Sequence, residues 1–142
     1  MKVEIELFGK ITYHRTNVGW LIISRDKEYN YKYDEDNYLA FLELLKLSNE
    51  HLDSLFHEVM KKDGRETIYN VFPFYPVLLT TVSMKSNYWL ELILDLIIYC
   101  GIRDLKILHF FDQMKIDDYK WIDRKLFHKA KKFLRGYDIT VK

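Results

Sequence analysis

A chain of 142 residues with a formal net charge of +1, 49% hydrophobic and 30% charged, has the size and composition of one globular domain and is too apolar for disorder. Its single cysteine, Cys100, excludes an intrachain disulfide, and its longest apolar stretch, residues 88–100, holds Glu91 and Asp95 and falls short of the ~20 residues of a membrane span. The start, Met1-Lys2-Val3-Glu4-Ile5-Glu6, alternates and carries acids, unlike a secretory leader. The expectation is one soluble, cytoplasmic domain over residues 1–142 that needs no membrane.

Val3, Ile5 and Leu7 alternate with charged residues, as in a half-buried strand, and Ile11 and Tyr13 would prolong it past a bulge at Gly9. A turn at residues 17–19 leads to a second strand, residues 20–24. A third carries Tyr29, Tyr31 and Tyr33 on one face. Asp34, Glu35, Asp36 and Asn37 supply acids and caps ahead of a helix over 38–47. Ser48 caps a second helix, in which Leu52, Leu55, Phe56, Val59 and Met60 keep helical spacing, with Lys61 and Lys62 at its end and Gly64 as its stop.

Residues 67–72 and 77–83 read as strands divided by Pro73-Phe74-Tyr75-Pro76. Asn87 caps a helix over 88–100 that is apolar nearly all round and closes at Gly101. Residues 105–111 read as a central strand. Asp117 or Asp118 opens a last helix that ends at Gly136, before a short strand over 138–141. Strands joined by helices favour parallel pairing. The predicted fold is therefore α+β: an amino-terminal antiparallel meander, two helices, and a carboxyl-terminal βαβαβ-like unit completing one mixed sheet.

Motifs that carry chemistry are sparse. Gly9, Gly19, Gly64, Gly101 and Gly136 stand singly at predicted turns or helix ends, so no glycine loop can cradle a phosphate. One cysteine cannot build a thiolate zinc site. His51 and His57, six apart on one helix, point about 120° from each other and cannot share an ion. No metal or other cofactor is expected. His109 and Asp112 fall near the end of the predicted central strand, where a general base and its orienting acid could sit. The other reading is a core histidine satisfied by neighbouring carbonyls.

Two surfaces suit partners. In Glu28-Tyr29-Asn30-Tyr31-Lys32-Tyr33-Asp34-Glu35-Asp36 three phenol rings would align about 7 Å apart along a strand and end in three carboxylates. Alternatively the rings cover the sheet's core face and the acids serve the next helix. On the last helix Lys120, Arg124, His128, Lys131 and Arg135 form a basic stripe flanked by Lys125 and Lys132, opposite an apolar face of Tyr119, Ile122, Leu126, Ala130, Phe133 and Leu134. Trp121 falls within the basic side, where it could stack on a base or fill a partner's pocket, or fold back on a loop. The charge is uneven along the chain. Residues 1–71 hold 10 basic and 13 acidic side chains and residues 72–142 hold 12 and 8.

In its size and in the Tyr29–Asp36 tract the chain resembles the immunity proteins of bacterial toxin delivery systems, including contact-dependent inhibition. Immunity proteins of nuclease toxins are often strongly acidic, and this chain is not. The resemblance implies a non-enzymatic protein that binds a cognate toxin domain and covers its active site. The alternatives are a nucleic-acid-binding protein using residues 118–135 and a small enzyme centred on His109 and Asp112.

Overall fold

The computed structural model describes residues 3–7, 11–16, 19–24, 27–32, 39–63 and 72–136. The amino-terminal backbone runs through β1 (Val3–Leu7), β2 (Ile11–Thr16), β3 (Gly19–Ser24) and β4 (Lys27–Lys32), in an antiparallel sheet of order β1-β2-β3-β4. Ile11 and Tyr13 do not prolong the first strand. They turn back along it, with Leu7 opposite Ile11 and Ile5 opposite Tyr13.

From residue 39 onward every described element is helical. A 3₁₀ helix (Leu39–Lys46) precedes α1 (Asn49–Asp63), α2 (Phe74–Ser83), α3 (Asn87–Cys100) and α4 (Leu105–Gln113). A short 3₁₀ turn (Ile116–Asp118) then leads to α5 (Arg124–Arg135). The buried apolar side chains from residue 41 onward all belong to these helices and their connections and form one cluster, an all-helical packed body. That overturns the α+β expectation: residues 77–83 and 105–111 are helices, and no βαβαβ unit or mixed sheet exists among the described residues. Most of the expected strand over 67–72 and all of that over 138–141 lie outside the described residues.

Two local causes turn the expected strands into helices. In α2 the prolines help. Pro73 precedes the first turn and Pro76 lies within it, where a missing N–H breaks no helical bond. The β-branched Thr80 and Thr81 then return their hydroxyls to the helix, donating to the carbonyls of Pro76 at 2.9 Å and Leu78 at 2.7 Å. In α4 the Asp104 carboxylate accepts from the Lys106 N–H at 2.9 Å and caps the helix. Ile107, Leu108, Phe111 and the following Met114 are buried, a spacing of one, three and three that only a helix brings to one side.

The centre of the body is α3. Ser86, not Asn87, caps it, its hydroxyl accepting from the Trp89 N–H at 3.2 Å. Gly101 closes it at φ 66°, the left-handed region that favours glycine. Leu90, Ile93, Leu94, Leu96 and Ile97 are buried, and α1, α2, α5 and the 3₁₀ helix all pack on α3. Phe72 joins the surrounding pieces, with its ring centroid 5.8 Å from Phe41, 5.2 Å from Phe56 and 5.0 Å from Phe74. Ile93 is wholly buried, so Ile93→Ala should destabilise the fold by about 2–5 kcal/mol, read as a lower urea midpoint at unchanged slope.

Candidate functional site

The last helix shows the clearest separation between what holds the fold and what is left over. At about 100° per residue, Leu126, Phe127, Ala130 and Phe133 fall on one arc of α5, and all four are buried. Two lysines stand at the edges of that arc. Lys129 pairs with Asp95 of α3 and lies 3.7 Å from Glu91 of the same helix. On the other edge the Lys131 ammonium donates to the carbonyl of Phe111 at 2.5 Å and that of Asp112 at 3.4 Å, and sits 5.5 Å from the Phe127 ring centroid. Those carbonyls belong to the last turn of α4, where the helix dipole is negative and a cation is favoured. Burial lowers the Lys131 pKa, opposed by the nearby Asp112 charge.

The entry to α5 is fixed as well. The Asn87 side chain donates to the Trp121 carbonyl at 2.8 Å and accepts from the Asp123 N–H at 2.8 Å, tying the start of α3 to the turn before α5. The Asp123 side chain makes no capping bond. Between these two helix starts opens a groove of about 330 Å³ lined by Asn87, Tyr88, Glu91, Asp123, Lys125 and Leu126, with Tyr88 59% exposed at its rim.

The remaining arc of α5 carries Arg124, Lys125, His128, Lys132 and Arg135, all exposed, within about 100° of one another. None of the five has an ion-pair partner among the described residues. Arg124 and Lys125 occupy the first turn, which holds no acid of its own. There the positive end of the helix dipole repels a cation, at a cost of typically about 0.3–1 kcal/mol each. Their placement works against helix stability. A surface selected only for solubility would favour acids at these two positions.

The structure sorts the sequence-derived site residues. Arg124 lies on the cationic arc, and Lys120 is exposed in the turn before it. Lys131 does not belong to the stripe, because its ammonium is turned inward onto α4. Trp121 precedes α5 and is half-buried against the core, so it does not stand among the cations. Tyr29 and Tyr31 take register positions opposite Ile22 and Trp20. Tyr33, Asp34, Glu35 and Asp36 lie outside the described residues. His109 and Asp112 are exposed on α4, so the strand end that would have paired them for catalysis is not there. The anchoring roles of Lys129 and Asn87 left no trace in sequence spacing, since their partners are 34 to 38 residues away.

One other group of reactive side chains meets across elements. The Cys100 thiol donates to the Asp53 carboxylate at 3.6 Å, and His57 Nδ1 lies 3.5 Å from the same carboxylate and 2.8 Å from the Asp53 carbonyl. Burial first, then the Asp53 charge and hydrogen bond, push the thiol from 9.0 up to about 12. A nucleophilic cysteine needs the opposite shift. Among the described residues no group of three or more His, Cys, Asp or Glu is arranged to hold a metal, and no helix is long and apolar enough to cross a membrane. No protein-family model matches the chain, and neither a curated protein nor a solved structure matches it.

The raised thiol has two consequences. In the unfolded chain Cys100 ionises near its ordinary value while the folded thiol stays protonated, so it makes the fold lose stability as pH climbs from about 9 towards about 12. Iodoacetamide at pH 8 should label folded protein far more slowly than urea-unfolded protein. Asp53→Asn should speed labelling of the folded state by removing the carboxylate that holds the proton. Equal rates for folded and unfolded chain would refute this environment.

Proposed function

We propose that the protein is a non-catalytic, cytoplasmic protein-binding module of the immunity type, which neutralises a toxin domain by docking onto it. The observation that carries the reading is the outer arc of α5. Four cations there, Arg124, Lys125, Lys132 and Arg135, have no ion-pair partner among the described residues, and two stand where the helix dipole opposes them. Charge held at a cost to helix stability is accounted for by a partner that neutralises it. Exposed charge of one sign also steers encounter and rejects partners of the same sign. Tyr88 and the groove beside the arc add an exposed ring next to an arginine-bearing face, and Tyr and Arg dominate binding energy in protein interfaces. The Tyr29–Asp36 tract is a second candidate contact, of opposite charge.

Several facts favour a protein partner over nucleic acid. Trp121, the one ring expected among the cations, packs against the core and offers no stacking platform there. Exposed carboxylates of Asp123, Glu91 and Asp112 also surround the arc. The test is co-expression with the protein encoded immediately upstream. A complex that survives size-exclusion at micromolar concentration and restores growth is the expected result. Arg124→Glu, Lys132→Glu and Arg135→Glu together should weaken that complex by roughly tenfold or more, largely through slower association. Absence of both complex and growth rescue rejects the reading.

A further inference from the structure

The cationic arc has a definite shape. Arg124, His128, Lys132 and Arg135 lie on successive turns of α5 and span about 16 Å along its axis, with Lys125 at the arc's edge beside the groove. Its width is set by what fences it. On the α3 side stand Glu91 and Asp95, already engaged by Lys129. On the α4 side Asp112 is exposed beside the inward-turned Lys131. At the amino end Asp123 is exposed with no capping bond. Positive charge therefore forms one strip about one helix wide, with Glu91 and Asp95 along one long side and Asp112 on the other.

From this pattern we infer that the strip receives a single acidic α-helix of the partner, laid along α5. The inference rests on the protein-binding reading above and adds the partner's chemistry. A helix about 10–12 Å across matches the strip, and its carboxylates at i, i+4, i+8 and i+11 repeat at the same rise as Arg124, His128, Lys132 and Arg135 beneath them, with the His128 ring a hydrogen-bond partner between the cations. Helices pack with axes 8–10 Å apart, which brings side chains of both strips within ion-pairing reach. Basic residues flanking the partner's acidic stripe would meet Glu91 and Asp112. A nucleic-acid duplex is broader and presents phosphate on both sides of any line of contact, so it would press negative charge onto the same carboxylates. An extended acidic strand repeats same-side residues at about 7 Å against about 6 Å for the cations and drifts out of step over the strip.

The experiment is fluorescence anisotropy with the full chain and three labelled probes. The first is a 16-residue amphipathic peptide with Glu at i, i+4, i+8 and i+11, flanking Lys, and Ala and Gln elsewhere. The second carries a central proline that breaks the helix. The third is a 16-base-pair DNA duplex. The helical peptide should bind, the proline peptide should bind roughly tenfold more weakly or not at all, and DNA should bind more weakly than the helical peptide at 150 mM salt. Lys132→Gln with Arg135→Gln, two exposed positions, should reduce peptide binding roughly tenfold or more while lowering the urea midpoint only slightly, since both cations stand in the last turn, where the negative helix end favours them.

Equal binding of both peptides would overturn the inference, as would tighter binding of DNA or no peptide binding up to millimolar concentration. The two proposals fail separately. Loss of peptide binding beside an intact toxin complex that ignores the α5 substitutions removes only the helix inference. Peptide binding without a toxin complex removes only the identity of the partner.

Discussion

The packed body is organised by the burial of α3. A helix apolar nearly all round cannot lie on a surface, and it must be covered on most sides or leave several large side chains in water. Leu90, Ile93, Leu94, Leu96 and Ile97 set that demand. The 3₁₀ helix, α1 and α2 meet part of it, joined through the Phe41, Phe56, Phe72 and Phe74 rings. Another side is covered by α5, which also packs on α4, while Tyr88, Ile98 and Tyr99 of α3 stay exposed.

Covering α3 with a strongly basic helix requires that α5 be oriented, and the structure uses unlike interactions at three points. Lys129 meets carboxylates on α3, Lys131 meets the negative end of α4, and Asn87 holds the turn through two backbone groups. Ion pairs with exposed members contribute little by themselves. Their value here is positional, because together they fix which face of α5 turns inward. The outer basic residues are a consequence of that orientation, and none of them has an ion-pair partner among the described residues, although Lys132 and Arg135 suit the negative end of the helix.

The helical elements were legible where capping and spacing agreed. Ser48 ahead of α1, the apolar run of α3 with Gly101 behind it, and the alternating apolar and basic residues of α5 all pointed to helices that the structure contains. The expected strands over 77–83 and 105–111 failed for one shared physical reason. Apolar runs this short, rich in Val, Thr, Ile and Phe, are not separated into helix and strand by period alone, and β-branching and aromatic content then tip the reading towards strand. Asp104 and Pro76 were the overlooked signals, one a helix cap and the other a first-turn proline. That error also created the apparent strand-end pairing of His109 and Asp112.

The site was legible in part. The basic stripe of the last helix was visible as a periodic pattern, and Arg124 with its neighbours does face outward. The start of the helix was not visible, because Asp117 and Asp118 sit in a separate 3₁₀ turn and α5 begins six residues later. That shift removes Trp121 from the stripe. Lys131 could not be told from Lys132 by sequence, since its inward turn depends on α4 lying beside it.

The central proposal is that Arg124 and Lys125, at the positive end of α5, serve recognition at the expense of the helix that carries them. The most direct measurement is the urea unfolding free energy of Arg124→Gln with Lys125→Gln. Relieving two cations of the positive helix end should raise it, by up to about 1 kcal/mol. A drop of about 1 kcal/mol or more would mean that these residues hold the fold together after all, and the division of roles within α5 would not stand.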